Sequence, residues 1–322
     1  MKNKPVWHFI KSCLDNNIPV VLLAVVESSG SSPGREGFKM AVALSGERRG
    51  TIGGGVMEVK SVDDAIQSLR EGTVLSRIRK IFHSRESPFE QSGLICSGTQ
   101  TLLAMSLNQS FRTAIDEIVQ TFDRKIFGRL VIGPDTFLFE PNQRLAADYS
   151  FTYSQPNEWV YKENVGVLDT VYIVGSGHVG FALSRIMATL DFHVVVIDER
   201  PSVETFLLNS YAHTKITLRY EDIGSVISVA GRSYVAVVTT AYESDERALK
   251  AVIGKNLHYI GLMGSPSKTR TIVRDLRSQD VTEEQLQQIH NPIGLPIASN
   301  TPEEIAISIA AEIIKAKNTA KA

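Results

Sequence analysis

The chain has 322 residues, 43% of them hydrophobic, and a formal net charge of −1. This length allows two domains of ordinary size, and the near-neutral charge gives no electrostatic reason to expect a nucleic-acid or membrane partner. No apolar run reaches the roughly 18 residues of a membrane-spanning helix, and the N-terminus lacks the features of a secretory signal. Two cysteines, Cys13 and Cys96, cannot form a disulfide framework, so we expect a reducing, cytoplasmic location.

The chain opens with a predicted helix over residues 5–16, in which Cys13 lies on the apolar face and is expected in the core. A buried strand at 19–26 leads into the loop 27–35, which is rich in serine and ends at Arg35. The composition of this loop fits two structures equally well. One is a flexible turn, and the other is an anion-binding loop of backbone N–H groups, serine hydroxyls and Arg35.

After a predicted hairpin, a second loop contains Gly53, Gly54 and Gly55 and leads into a helix predicted over 59–69. Three consecutive glycines cost conformational entropy on folding, so they favour a close approach of the backbone to a ligand at a helix N-terminus. Glu58 is the acid beside this loop. It is either a functional group of the loop or a first-turn acid that the helix dipole favours.

Cys96 lies at a serine-glycine turn between strands predicted at 73–82 and 100–107. N–H groups or cations would lower the pKa of such a thiol, but its sequence neighbours do not decide between a reactive and a structural cysteine. A helix at 111–122 and a hairpin around 133–135 follow, whereas 145–164 matches no element clearly. We place the domain boundary so that residues 1–166 and 167–322 form separate domains.

The stretch 171–200 carries the strongest motif of the chain. A short apolar strand is followed by Gly175, Gly177 and Gly180 in the pattern G-x-G-x-x-G, then by an amphipathic helix and a second apolar strand that ends at Asp198. In dinucleotide-binding folds these glycines provide a tight turn, space for a phosphate and close helix packing, and the acid binds a ribose hydroxyl.

Strands and helices continue to alternate beyond this unit, including a helix near 223–229 and a strand over 290–296. Ser265 is the expected cap of one helix, and Thr282 and Gln285 form a capping-box pattern at another. The alternation predicts an α/β fold with a Rossmann-like, doubly wound parallel sheet in the C-terminal domain and an α+β or α/β N-terminal domain. Ligands bind beyond the carboxyl ends of such strands. The candidate cofactor-binding residues there are Gly175, Gly177, His178, Gly180, Asp198, Arg200, Gly264, Ser265 and His290, with Thr239, Thr240 and Met263 nearby. Arg200 could stack on an adenine or bind a phosphate. No metal-ligand spacing is present in the sequence.

Several segments together resemble the XdhC/CoxI family, the xanthine dehydrogenase accessory factors. They are VVESSGSSPGREGFKM, GTIGGGVMEV and GLICSGT in the first half, and YIVGSGHVGFALSRI, VVVIDERP, YIGLMGSPSK and NPIGLPIASNTPEEIAISIAAEI in the second. The chain is identified as a divergent member. Val56 stands where the family often has cysteine, Ser97 replaces a glycine and Pro296 replaces an aspartate. The segment 239–242 has no histidine where the family typically has Thr-His.

The resemblance implies a dimeric accessory protein that binds the molybdenum cofactor (molybdopterin), assists its sulfuration and delivers it to a molybdenum hydroxylase apoenzyme, with a cysteine desulfurase as second partner. It makes Cys96 and Glu58 the candidate catalytic residues, and Gly53, Gly54 and Gly55 join the cofactor-binding candidates. Two alternatives remain. One is an NAD-dependent oxidoreductase, for which Asp198 would favour NAD over NADP, and the other is a nucleotide-sensing protein without catalysis.

Overall fold

The computed structural model describes residues 3–82, 98–124, 126–228, 232–278 and 281–319. The chain divides into two compact units, Lys2–Gly166 and Val167–Ala322, here called the first and the second unit. Within the described ranges, no helix is long and apolar enough to cross a membrane.

The first unit contains two antiparallel sheets and three α-helices among its described residues. One sheet has the strand order β3-β2-β1-β5-β4 and the other β7-β6-β9-β8. The elements are α1 (Lys4–Asp15), β1 (Val20–Ser29), β2 (Lys39–Ala43), β3 (Arg48–Gly50), α2 (Gly55–Glu71), β4 (Ser76–Phe82), β5 (Thr99–Leu107), α3 (Arg112–Arg124), β6 (Phe127–Gly133), β7 (Thr136–Pro141), β8 (Tyr149–Gln155) and β9 (Glu158–Gly166).

Strand β1 is the centre of the first sheet, and its residues 20–26 are all buried. This explains why the sequence shows a continuous apolar run there instead of alternation. Helix α1 turns its apolar face inward, as predicted, and Cys13 on that face is only 3% exposed. Burial, with a smaller contribution from Glu47, raises the pKa of the Cys13 thiol.

The segment without a clear prediction forms the hairpin of β8 and β9. Its strand β9 buries Trp159, Tyr161 and Glu163, so a carboxylate lies inside the unit. Glu163 pairs with the fully buried ammonium of Lys39 and accepts a hydrogen bond from the Tyr161 hydroxyl. Lys39 belongs to β2, so this buried ion pair connects the two sheets of the first unit.

The second unit is a parallel six-stranded sheet with the strand order β12-β11-β10-β13-β14-β15. This confirms the predicted Rossmann-like fold. The elements are β10 (Asp169–Val174), α4 (His178–Thr189), β11 (His193–Asp198), α5 (Glu204–Leu207), β12 (Thr214–Thr217), β13 (Arg232–Val237), α6 (Tyr242–Val252), β14 (Tyr259–Leu262), α7 (Pro266–Arg277), α8 (Glu283–Gln287), β15 (Ile289–His290) and α9 (Pro302–Thr319).

Apolar clusters cover both faces of this sheet. Helices α4 and α9 pack on one face, and α6, α7 and α8 pack on the other. The predicted caps of α7 and α8 are present, since Ser265 accepts a hydrogen bond from Lys268 N–H and Thr282 forms a capping box with Gln285. The strand order reverses between β10 and β13, which is where ligands bind in doubly wound sheets.

Three predicted elements were wrong in type or extent. The helix expected at 223–229 is a 3₁₀ helix over Tyr220–Ser225, and the strand expected over 290–296 contains only His290, because glycine and proline interrupt the pairing that follows. Helix α2 begins at Gly55, earlier than expected, because left-handed Gly53 and Gly54 precede it directly.

Replacing Lys39 with methionine should lower the free energy of unfolding of the first unit by about 3–5 kcal/mol, because Glu163 is left charged and buried. Urea unfolding followed by tryptophan fluorescence reports on this unit alone, since both tryptophans, Trp7 and Trp159, lie in it. The control is Lys162→Met, on the less buried side of β9. The Lys39→Met, Glu163→Leu double variant should recover much of the loss, and an unchanged midpoint in the single variant would contradict this account.

Candidate functional sites

The three glycines of the second unit's loop each serve a distinct geometric purpose. Gly175 has φ 107°, and a Cβ there would lie 2.8 Å from the Val238 carbonyl oxygen. At Gly180 a Cβ would lie 2.1 Å from the Gly175 carbonyl oxygen, so only glycine allows α4 to pack this closely on the loop. At Gly177, by contrast, a Cβ would meet no atom within 4 Å. The backbone there is open to a ligand.

Helix α4 begins at this open position. Gly177 is its N-cap without a side-chain hydrogen bond, its first turn contains no acid, and His178 is its exposed first residue. The N–H groups at the start of a helix carry partial positive charge and attract anions. The loop can therefore hold a phosphate at Gly177 and His178, and this role for the two residues stays a prediction.

Asp198 ends β11, as predicted, and is fully buried. Its Oδ2 accepts hydrogen bonds from the Ser176 N–H at 2.8 Å and the Ser176 hydroxyl at 2.7 Å, and the Arg200 guanidinium donates to both carboxylate oxygens at 3.0 Å. Burial alone would raise the pKa of Asp198, but the hydrogen bonds from Arg200 and Ser176 hold it well below its usual range. Both oxygens thus bond to protein groups, and binding of a ribose by Asp198 remains a prediction.

A pair that no sequence motif indicates lies beside the predicted crevice residues Gly264 and Ser265. Asp245 in the first turn of α6 is fully buried, and its Oδ2 lies 2.6 Å from the ammonium of Lys268 in the first turn of α7. Thr239 donates from its hydroxyl to Asp245 Oδ1 at 2.5 Å. Burial raises the pKa of Asp245 despite the opposing effects of Lys268 and Thr239.

His290, which the sequence suggested for the same crevice, pairs with helix α9. Its Nδ1 lies 3.1 Å from Glu312 Oε1, and its ring packs on Tyr259 with the ring centroids 4.4 Å apart. Glu312 also accepts hydrogen bonds from the Tyr259 hydroxyl and from the Gly294 N–H. Burial would raise the pKa of Glu312, but these partners lower it to about 2.

In the first unit, the loops 28–35 and 51–55 lie against each other. Gly53 is so close to Gly34 that a Cβ would lie 2.5 Å from the Gly34 nitrogen. The fully buried Gln100 links the two loops, since it accepts from the Ser32 hydroxyl and donates to the Ile52 carbonyl oxygen. The serine loop is thus packed against the glycine loop, and its role in anion binding stays open.

Glu58 organises the glycine loop of the first unit. Its Oε2 accepts hydrogen bonds from the Thr51 hydroxyl at 2.6 Å and from the N–H groups of Ile52 at 2.9 Å and Gly54 at 3.0 Å. Burial would raise the pKa of Glu58, but these bonds lower it. Gly53, Gly54 and Gly55 all have positive φ, between 70° and 127°, which only glycine adopts easily.

Cys96 lies outside the described residues. In the described part of the chain, no group of three or more His, Cys, Asp or Glu side chains could hold a metal ion.

These features define a protein with a Rossmann-type second unit, whose glycine loop has an open backbone position at Gly177, preceded by an antiparallel first unit. The chain belongs to the XdhC and CoxI family. The XdhC Rossmann domain family matches residues 171–313, and the XdhC and CoxI family matches residues 13–79.

The chain is also similar to individual proteins. The chain is 23% identical to a Bacillus subtilis protein described as a probable subunit of xanthine dehydrogenase, over 96% of both chains. It is 26% identical to the Escherichia coli protein YqeB over 95% of this chain. The match covers only 45% of the length of YqeB. A crystal structure from Bacillus halodurans described as a xanthine dehydrogenase has the same fold, with a TM-score of 0.75, 21% identity and coverage of 99% of this chain and 96% of that chain.

Replacing Gly177 with alanine should separate ligand binding from folding. Its φ of −65° suits any residue and a Cβ enters open space, so stability should change by no more than about 0.5 kcal/mol. The methyl group would occupy the space for a phosphate, so calorimetry should show at least tenfold weaker binding of ADP. The matched variant Gly180→Ala should instead destabilise the second unit by several kcal/mol, because its Cβ collides with the backbone. Unchanged ADP affinity in Gly177→Ala would contradict the phosphate role.

The low pKa of Glu312 predicts a pH dependence of stability. Because the pKa is about 2 in the folded chain and about 4.3 in an unfolded one, the contribution is complete above pH ~5 and is lost as the pH falls from ~4 to ~2. It should amount to roughly 2–3 kcal/mol. Calorimetric unfolding between pH 2 and 6 should show a loss of stability in the wild type that is smaller by this amount in Glu312→Gln, because other carboxylates with lowered pKa values, such as Asp198 and Glu58, remain. Parallel profiles would show that Glu312 does not carry the effect.

Proposed function

We propose that this protein is an XdhC-type accessory factor that binds the molybdenum cofactor, assists its sulfuration and helps to insert it into a xanthine dehydrogenase-type molybdenum hydroxylase. The observation that carries the proposal is family membership, since family matches fall in both units. The full-length similarity to the Bacillus subtilis relative, whose name links it to xanthine dehydrogenase, supports the choice of client enzyme.

The second unit fits the phosphate end of this cofactor. Molybdopterin carries a phosphate or a nucleotide, and the backbone at Gly177 is open at the start of a helix whose first turn has no acid. Gly177 and His178 would hold the phosphate there, while Asp198 keeps the loop in shape through Ser176. When bound, the cofactor supplies the molybdenum centre on which the client hydroxylase depends.

In the first unit, we propose that Glu58 acts by holding the Gly53–Gly55 loop rather than by transferring protons. Its Oε2 already accepts three hydrogen bonds and its pKa is lowered, which makes it a poor proton carrier near neutral pH. Cys96 remains our candidate for thiol chemistry. Its assignment rests on the family resemblance.

Accessory function also requires partners. We propose that a molybdenum hydroxylase apoenzyme receives the cofactor, that a cysteine desulfurase supplies the sulfur, and that the protein acts as a homodimer. It is then a carrier and helper of another enzyme rather than an oxidoreductase in its own right. An NAD-dependent oxidoreductase is disfavoured because Ser176 and Arg200 already donate to the Asp198 oxygens that would bind the ribose.

Deleting the gene in the source organism should abolish most xanthine dehydrogenase activity while the apoenzyme still accumulates. Wild-type protein should restore the activity and Gly177→Ala should not. Arg185→Ala, which changes an exposed residue on the same helix, serves as the control and should restore it. Quantifying molybdopterin and the sulfurated form in the isolated hydroxylase distinguishes a defect in insertion from one in sulfuration. Normal activity in the deletion strain would contradict the proposed function.

A further inference from the structure

A buried ion pair lies at the carboxyl edge of the parallel sheet in the second unit. Asp245 is 0% exposed, whereas 24% of the Lys268 side chain remains accessible. Their helices, α6 and α7, begin after β13 and β14, so both side chains come from first helical turns at the edge where doubly wound sheets bind ligands.

The pair is connected to the glycine loop through a short series of contacts. Asp245 Oδ1 accepts a hydrogen bond from the Thr239 hydroxyl, with 2.5 Å between the two oxygens. The Thr239 nitrogen in turn lies 2.9 Å from the position of a Cβ on Gly175. These contacts connect Asp245, the partner of Lys268, to the backbone of Gly175 at the start of the glycine loop.

Stability of the fold does not explain this pair well. Buried ion pairs cost desolvation energy, and replacing them with apolar residues of similar size is often neutral or stabilising. At the opposite edge of the sheet, Asp169 is held by both Arg232 and Lys317, and Arg232 is only 10% exposed on its side chain. Exposure alone does not separate the two clusters, since the Lys317 side chain is 21% exposed. They differ in that Asp169 has two cationic partners, whereas Asp245 is paired with Lys268.

We propose that Lys268 is an anion-binding residue of this crevice, with Asp245 as the positioning residue that directs its ammonium. A lysine ammonium has three N–H donors and binds phosphate as a point charge. The ligand class is a phosphate ester or diphosphate, carried by a nucleotide or a pterin. This inference rests on the proposed function only in taking the ligand to be a phosphate-bearing cofactor.

Gly264 supports an ordered lysine in this place. A Cβ on Gly264 would lie 3.1 Å from Lys268 Cδ and 3.3 Å from Thr269 Cγ2. The absence of a side chain at Gly264 therefore leaves space for the lysine stem to lie along the start of α7. Ser265 caps the helix, and its hydroxyl accepts a hydrogen bond from the Lys268 N–H at 3.3 Å. This bond fixes the backbone of Lys268.

The test is calorimetric titration of the purified full-length protein with two probes, ADP and inorganic pyrophosphate. Lys268→Met should weaken the binding of both probes at least tenfold, because it removes a charged hydrogen-bond donor, whereas Lys268→Arg should stay within about threefold of the wild type. Lys250→Met, at an exposed position in the last turn of α6, is the control and should bind normally. Melting temperatures of all variants are measured in parallel.

Loss of affinity in Lys268→Met with retention in Lys268→Arg supports the proposal. Unchanged affinity in Lys268→Met, or equal losses in the methionine and arginine variants together with lower melting temperatures, would overturn it. Failure of both probes to bind the wild type would overturn it as well. Tighter binding of ADP than of pyrophosphate indicates a nucleotide ligand, and equal affinities indicate recognition of phosphate alone. The accessory function is judged separately, by hydroxylase activity in the deletion strain.

Discussion

The shape of the Rossmann glycine loop depends on one buried carboxylate. Asp198, at the end of β11, accepts from both the N–H and the hydroxyl of Ser176, the residue that directly follows Gly175. These bonds connect the ends of two neighbouring parallel strands, and the Arg200 guanidinium balances the buried charge. Because the pKa of Asp198 is strongly lowered, the carboxylate stays ionised at any physiological pH. The loop is therefore preorganised before a ligand arrives, which reduces the ordering cost of binding.

The first unit holds its own glycine loop in a similar way, but with a different consequence. Glu58 accepts hydrogen bonds from N–H groups of the loop itself, including the N–H of Gly54 at the start of α2. Those donors are used within the protein, and the negative charge next to them disfavours a second anion. In the second unit Asp198 accepts a hydrogen bond from the Ser176 N–H, which precedes helix α4, and the first turn of α4 contains no acid. We therefore propose the glycine loop of the second unit, rather than that of the first, as the phosphate site.

The sequence predicted features whose causes are local. Continuous apolar runs identified β1 and the central parallel strands, and each glycine of the G-x-G-x-x-G motif has the geometry expected for it. The sequence could not reveal pairs between residues far apart in the chain, because a single sequence does not show which distant residues are in contact. Lys39 and Glu163 are 124 positions apart, and Asp245 looks like an ordinary first-turn acid until Lys268 is placed beside it. The hairpin of β8 and β9 was missed although Tyr149, Phe151 and Tyr153 alternate with polar residues. Strand β8 is mostly exposed and contains no aliphatic residue, so it shows no clear core face.

The burial of Cys13 has a practical meaning for chemical labelling. This thiol is 3% exposed, and its raised pKa leaves it largely protonated and unreactive at neutral pH. The chain contains one other cysteine, Cys96. An alkylating reagent applied to the native protein therefore reports on a single position without any engineering of the sequence. The rate at which the reagent alkylates Cys96, measured with and without added cofactor, reports on the environment of this residue.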